Sequence, residues 1–400
     1  MSTSAERDAH EPQNGIPLCI PAIQGNEWQY LKACLDTGWV SSVGAFVDRF
    51  EQNLADYVGA TYAVATTSGT AALHVALQVA GVTADDEVLV STLTFIAPVN
   101  AIRYLGAWPV FIDAEPDYWQ MDAQRIEDFL TQSCQWRDGA LYNRTTGRRV
   151  RAILPVHILG HPVDMSPISD LAARFGLPII EDATESLGAS YRGRKVGTIG
   201  ALGCFSFNGN KLITTGGGGM VVTDDEALAR RVRYLTTQAK DDSVEFIHGE
   251  IGYNYRLTNI QAAMGCAQLE QIEQYITAKR LIAARYAEAL GKVAGITCMR
   301  EASWATSVYW MYTIMVDPLL YGMDSRALLR QLGQAGIQTR PLWQPIHRSL
   351  AYAGIAAPTC EVAEQLNRDG LSLPCSVTLT DAEQQRVISL VTASQRHGDR

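Results

Sequence analysis

The stretch 203–220 reads GCFSFNGNKLITTGGGGM and presents a single amine, Lys211. Its apolar start, 203–207, predicts a strand that Asn208-Gly209-Asn210 breaks. Four glycines, 216–219, then lead into a second β-rich run over 220–223. A lysine held between two buried strands, on backbone loose enough to approach a planar ligand, suits Schiff-base chemistry. Partial desolvation makes such an amine more nucleophilic at neutral pH. Most lysines are solvated surface groups, so the local pattern alone leaves a plain surface-loop reading open.

Other residue types narrow the chemistry. Thr67-Ser68-Gly69-Thr70-Ala71 follows a short apolar run and opens a helical pattern. Backbone N–H groups and hydroxyls at a helix start suit a phosphate, and Ser206 would add a further hydroxyl. Asp182, after an Ile-Ile run, suits a carboxylate partner for a protonated ring nitrogen. Phe95 offers a flat face for stacking. These are the three requirements of pyridoxal 5′-phosphate. Read singly, Ser-Gly-Thr is a helix cap, Phe95 a core residue and Asp182 a strand-end acid. In this order, with a glycine-flanked lysine afterwards, they point to one site. His157 and His161 have a ligand-like spacing of four, but Gly160 and Pro162 break helix there, so no metal is expected.

The elements that must position these groups alternate strand and helix. Strands are predicted over 63–67, 87–90, 109–112, 151–156 and 177–180. Helices are predicted over 68–80, 95–105, 122–132 and 166–175. Near-continuous apolar strands at this spacing imply a mostly parallel sheet covered on both faces. Ligands sit at the carboxyl ends of such strands, where the polar clusters at 66–70, 91–95, 157–161 and 181–188 fall. Thr223–Glu226 and Thr258–Gln261 read as capping boxes, the second opening a long helical stretch to 290. Residues 236–250 read as an exposed loop. Upstream, two helices, 25–36 and one with Phe46, Phe50, Leu54 and Tyr57 on one face, lack strand partners and should drape over the main domain or a second subunit. Downstream, a strand over 310–316, a helix over 325–334, a β segment over 336–339 and a helix capped by Thr380 with Glu383 make a smaller α+β unit. The expected organisation is a disordered leader at 1–15, an N-terminal arm at 16–60, a large α/β domain at 61–275 and a small domain at 276–400.

Composition sets outer bounds. The chain has 400 residues, 47% hydrophobic and 19% charged, with a net charge of −9. That balance gives no reason to expect nucleic acid or an anionic membrane surface. No apolar run approaches the ~18 residues of a membrane span. Eight cysteines without a CxxC pair point to a reducing cytosol rather than a disulfide framework.

Several segments together resemble the DegT/DnrJ/EryC1/StrS sugar aminotransferases, which have the aspartate-aminotransferase-like fold (fold type I). They include Gly38-Trp-Val-Ser-Ser42, Ser68-Gly-Thr-Ala-Ala-Leu73, Thr94-Phe95 and Glu181-Asp-Ala-Thr-Glu-Ser-Leu-Gly188. Val156-His157 through Asp164, Phe205-Ser-Phe207 with Lys211, and Gly252-Tyr-Asn-Tyr-Arg256 complete the set. The resemblance covers 16–400 and implies a seven-stranded type of central sheet. It implies Lys211 as the Schiff-base lysine, Asp182 facing the pyridine nitrogen and Glu185 near the cofactor 3-hydroxyl, where relatives more often carry glutamine or histidine. Gly69, Thr70, Ala71 and Ser206 would hold the phosphate, with Asn254 reaching it from the neighbouring subunit of a homodimer. Trp39, Ser41, Ser42, His157, Arg256, Tyr309 and His347 lie in segments the family uses around a sugar nucleotide. The wording around Lys211 and the loop Thr237–Asp242 look most like the LegC/PglE-type 4-aminotransferases. These imply L-glutamate as donor, 2-oxoglutarate as product and a nucleotide-diphosphate-linked 4-keto-6-deoxy-N-acetylhexosamine as acceptor, with UDP and GDP both open. The alternatives within the family are a nucleotide-sugar 3-aminotransferase and a sugar dehydratase; relatives that dehydrate sugars carry histidine at the lysine position, which Lys211 argues against. A non-catalytic regulator is disfavoured by the intact lysine, aspartate and phosphate set. A nicotinamide dehydrogenase is disfavoured because no GxGxxG joins a strand to a helix.

Overall fold

The structure, a computed structural model, describes residues 15–242 and 244–395. The polar leader expected at 1–15 therefore lies, apart from Gly15, outside the described residues.

Seven strands build the central sheet. Across it they run Tyr62–Thr66, Gly219–Thr223, Leu202–Ser206, Ile180–Asp182, Val150–Leu154, Glu87–Ser91 and Trp108–Ile112. The third and fourth strands pair in parallel, as do the last three. Parallel bridges Ile153↔Ile179 and Val156↔Asp182 join the two halves. Only Gly219–Thr223 runs against the rest, pairing antiparallel on both sides. The sheet is mostly parallel because helices return the chain between strands. Both faces are covered, so a strand such as Glu87–Ser91 is buried at every position rather than alternating.

The upstream helices, Glu27–Thr37 and Ala45–Val58, pack on helix Asn259–Leu269. The second presents Phe50 and Leu54, both fully buried, at an i, i+4 spacing. A second, antiparallel sheet contains Ile296–Cys298, Tyr312–Val316, Gly370–Leu373 and Arg340–Pro341. Its core takes Ile282, Tyr286 and Leu290 from the long helix Ile272–Leu290, and also Leu93, Val156 and Ile158 from beyond the central strands. This unit is thereby seated against the carboxyl ends of the central sheet, where the polar clusters lie.

Four local expectations need correction. Thr223 does not cap the following helix. It ends its strand with its hydroxyl donated to the Ala201 carbonyl at 2.8 Å, and Asp225 is the cap, accepting from the Ala227 and Leu228 N–H groups. The strand expected over 177–180 begins at Ile180 and carries Glu181 and Asp182 within it. In the segment 336–339 the pairing reduces to one parallel bridge, Ile16↔Ile337, and the strand proper is Arg340–Pro341. The irregular loop over 236–250 holds a short hairpin, Lys240–Asp242 with Ile247–His248.

Candidate active site

Helix Gly69–Val79 starts at the end of the first strand of the sheet. Ser68 caps it from an extended conformation, its Oγ accepting from the Ala71 N–H at 3.1 Å. First-turn N–H groups have no partner within their helix, so those of Gly69 and Thr70 face outward as anion donors. A Cβ at Gly69 would lie 2.7 Å from Ser206 Cβ; glycine alone lets the helix start and strand Leu202–Ser206 meet there. Beyond them opens a cavity of about 390 Å³, walled by Ser68, Gly69, Thr70, Ser206, Phe95 and Thr94, with Asp182, Glu185 and Lys211 reaching in.

Lys211 projects from the turn that Asn208 closes by accepting its N–H at 3.0 Å. Its Nζ lies 3.6 Å from Glu185 Oε1 and 4.1 Å from the centre of the Trp310 ring. The Trp310 indole N–H donates to the Asn210 carbonyl at 2.7 Å. The aromatic face is thus pinned to the turn that carries the amine, shielding one side of it from water while attracting its charge.

Two acids share this one cation. Asp182 is 1% exposed. Burial raises its pKa, opposed by hydrogen bonds from Thr184 and by the Lys211 charge. Burial likewise pushes Glu185 up to about 7, against the pull of Lys211 and of the Leu159 N–H that its Oε2 accepts at 2.9 Å. Glu181, the neighbour of Asp182 on the opposite face of the strand, behaves differently. Burial would push it up, but His157 and the N–H groups of Gly197, Ile199 and Gly200 hold it below the usual carboxylate range. One strand therefore carries a structural acid with its needs met and a site acid still short of a positive partner.

That shortfall tests the cofactor. Among the described residues Thr184 alone hydrogen-bonds the Asp182 carboxylate, and a protonated ring nitrogen would supply the missing charge. The helix start with Ser68, Thr70 and Ser206 supplies phosphate donors, and Lys211 supplies the amine for an aldehyde. Pyridoxal 5′-phosphate fits this donor set.

Gly69, Thr70, Phe95, Asp182, Glu185, Ser206 and Lys211 all line the cavity. Ala71 does not, and its N–H is already committed to Ser68. Asn254 is exposed on a segment bridged to Thr237 and stands outside the cavity of its own chain. The loop of Trp39, Ser41 and Ser42 is tied down from outside the cavity. Asn259 donates from Nδ2 to the Trp39 carbonyl and from its backbone to Ser41, and Arg256 donates to the Ser42 carbonyl at 2.9 Å. His157 needs correction as a sugar contact. It is fully buried, Nε2 toward Glu181 and Nδ1 accepting from the Val163 N–H at 3.0 Å, so neither ring nitrogen is free. His347 is similarly taken up by Thr92 and Glu364. Tyr309, at a φ of 47°, packs near Tyr312 and Arg280 rather than into the cavity. Among the wall residues absent from the sequence-based set are two tryptophans, Trp310 and Trp343. Both come from the downstream unit, and nothing near them in the chain advertises a site.

A mostly parallel seven-stranded sheet with one reversed strand, a lysine and an acid converging at its carboxyl edge, defines a fold type I, pyridoxal-phosphate-dependent enzyme. Comparison with known proteins narrows this. The model of the DegT/DnrJ/EryC1/StrS aminotransferase family matches residues 21–392, and the chain belongs to that family. It is 40% identical over 375 residues to GDP-perosamine synthase of Caulobacter vibrioides, covering 94% of this chain and 96% of that one. With UDP-4-amino-4-deoxy-L-arabinose–oxoglutarate aminotransferase of Shewanella sediminis it shares 30% identity over 397 residues, covering 94% and 97%. The crystal structure of S. venezuelae DesV in complex with a ketimine intermediate superposes with a TM-score of 0.84 at 32% identity, covering 93% and 95%. The protein is a pyridoxal-phosphate-dependent sugar aminotransferase.

Proposed function

We propose that the enzyme moves the amino group of L-glutamate to C4 of a nucleotide-linked 4-keto-6-deoxyhexose, as a homodimer in the cytosol, for bacterial surface-sugar synthesis. The observation that carries this reading is the Lys211 amine, held 3.6 Å from Glu185 over the Trp310 ring at the mouth of an anion-binding helix start. The likeness to a relative whose name couples a 4-amino sugar to oxoglutarate supports the donor and the position. Eight free cysteines support a reducing compartment.

When bound, pyridoxal phosphate supplies an electron sink for negative charge beside the transferred nitrogen. The chain does the rest. Ser68, Thr70 and Ser206, with the first-turn N–H groups, anchor the phosphate end. Asp182 orients the ring and holds a proton on its nitrogen. Lys211 Nζ would take a proton from the α-carbon of the amino donor and return it on the far side of the transferred nitrogen, two bonds away. Glu185, with its carboxyl near neutrality, holds a proton on the 3-hydroxyl side. Asn254 of a second copy would reach the phosphate end, and with His157 occupied the sugar is left to the cavity rim and the 39–42 loop.

Two versions of the acceptor remain distinct. The likeness around Lys211 and 237–242 to LegC/PglE-type enzymes favours an N-acetyl group at C2. The 40% identity to a GDP-perosamine synthase favours a GDP-linked hexose. Offering the pure enzyme a panel of UDP- and GDP-linked 4-keto sugars, with and without the N-acetyl group, separates them by the mass of the amine formed. Failure to aminate any 4-keto nucleotide sugar sinks the proposal. Lys211→Ala should keep the fold but lower turnover by on the order of 10³-fold or more. Wild-type turnover in that variant would refute the role of the lysine.

A further inference from the structure

Lys279 is the single lysine of the long helix Ile272–Leu290, and it points inward, 2% exposed. Its Nζ donates to the carbonyls of Trp310 at 2.8 Å and Cys375 at 2.6 Å. A buried ammonium needs an opposite charge, and here the neighbours able to carry one are sulfurs. Cys19 Sγ lies 3.5 Å and Cys375 Sγ 3.6 Å from Nζ, and those two thiols are the groups that hold Lys279 charged. The backbone brings them side by side: Cys375 N–H donates to the Leu18 carbonyl at 2.8 Å and Ile20 N–H to Ser376 Oγ at 3.0 Å.

The two thiols are not equivalent. Cys19 is only partly buried and faces a second cavity, of about 360 Å³, that shares Asn210, Trp310 and Trp343 with the Lys211 pocket. The neighbouring Cys375 thiol, then the charges of Lys279 and Lys211, outweigh burial and hold Cys19 far below the ordinary thiol range; its Sγ also lies 3.8 Å from the Asn210 carbonyl, and Arg340 lines the same cavity. Cys375 is pushed up, first by the neighbouring Cys19 and then by burial, and its own thiol donates to the Trp310 carbonyl at 3.5 Å. Burial also raises Cys34, Cys134, Cys204, Cys266, Cys298 and Cys360.

We propose that Cys19 and Cys375 form a peroxide-sensitive, thiol-reversible modification site, with the Lys279 ammonium, 3.5 Å from Cys19 Sγ and 3.6 Å from Cys375 Sγ, as its charge partner. The thiolate of Cys19 attacks one oxygen of hydrogen peroxide, the O–O bond breaks, and the departing hydroxide takes a proton to leave as water. Cys19 is now a neutral sulfenic acid, so the Lys279 charge acts on Cys375 alone and favours its thiolate. Sulfur attack by Cys375 on Cys19 forms the disulfide and expels the hydroxyl with the Cys375 proton as a second water. Two thiols are oxidised by two electrons and one peroxide is reduced. The ammonium then loses its counter-charge. Because Nζ bonds the Trp310 carbonyl while the Trp310 indole is tied to Asn210, the change is felt one residue from Lys211.

The experiment uses the cofactor-loaded full chain. Brief treatment with hydrogen peroxide, quenching with an alkylating agent and peptide mass spectrometry should show the peptides of residues 19 and 375 joined, lighter by two hydrogens and separated again by dithiothreitol. Cys375→Ser should abolish the joined species and leave Cys19 as a sulfenic acid that dimedone traps. No joined species, or a Cys19 link to any other residue, overturns the proposal. The ionisation is read separately from the pH profile of Cys19 alkylation in the wild type, whose midpoint should fall well below the ordinary ~8.5. Alkylation at neutral pH should be at least about tenfold faster at Cys19 than at Cys298. An ordinary midpoint overturns the role given to Lys279 even if Lys279→Met fails to fold. If that variant folds, its midpoint should rise to the ordinary value or above.

Discussion

Glu185 illustrates how a buried group is tuned by what surrounds it. Its pKa stands at about 7 against an ordinary 4.5, first because burial disfavours the charged form. The folded, cofactor-free chain thus keeps a proton there that the unfolded chain has already released. Stability from this group is present below the unfolded value and is lost as pH rises through the folded one. A shift of this size corresponds to roughly 3 kcal/mol. Denaturant unfolding of the cofactor-free protein from about pH 5 to pH 8 should therefore show wild type losing more stability than Glu185→Gln. Parallel curves would show that Glu185 is ordinary. Asp182→Asn keeps the shape but loses the charge facing the ring nitrogen. It should lower turnover by on the order of 10²-fold or more and shift the visible absorbance of the bound cofactor, with little change in melting temperature. An unchanged spectrum and rate would count against the assignment. Lys211 and Asp182 were legible in the sequence because the groups flanking each of them are local. Trp310 was not, because its bond to Asn210 joins residues far apart in the chain, and no neighbouring residue announces it.

Elements were legible where their signals act within a few residues. Thr258 with Gln261 and Thr380 with Glu383 form reciprocal capping boxes, as their spacing requires. Thr223 had the same spacing and failed: its hydroxyl donates across the sheet to Ala201 and accepts from the Asp225 N–H at 3.2 Å, so it holds the turn that makes Asp225 the cap. The hairpin Cys134–Arg137 with Ala140–Asn143 went unread because its strands are short and half exposed. Asn259 shows what an element start does for the site. Buried at the first position of its helix, it accepts from the Phe46 N–H at 3.0 Å and donates to the Trp39 carbonyl at 2.7 Å. Asn259→Ala removes both and should destabilise the protein by about 1–3 kcal/mol. If the 39–42 loop contacts the sugar, KM for the nucleotide sugar should rise more than KM for L-glutamate. Equal changes in both constants would remove that loop from acceptor recognition.

At the scale of the whole molecule, exposed apolar side chains cluster on two segments, among others that stand singly or in pairs: Trp28, Leu35, Trp39, Val40 and Val43, and Val244, Phe246, Ile247 and Ile251. Clustered exposure of this kind marks association surfaces, and it supports the proposed homodimer, in which Asn254 would serve the partner site. Sedimentation should give a dimer. Mixing inactive Lys211→Ala with cofactor-depleted Asn254→Ala should regenerate activity, because one of the two sites in a mixed pair then has both residues. A monomer, or a mixture that stays inert, would remove the shared site.

Strand Tyr62–Thr66 takes as its neighbour Gly219–Thr223, with Tyr62 opposite Thr223. During synthesis from the N-terminus, the first strand to leave the ribosome must wait, apolar and unpaired, until the last one has been made. A chain halted anywhere between them has a sticky edge that its own sequence has no means yet to close, so shortened products of this gene should aggregate or be degraded rather than persist as folded halves.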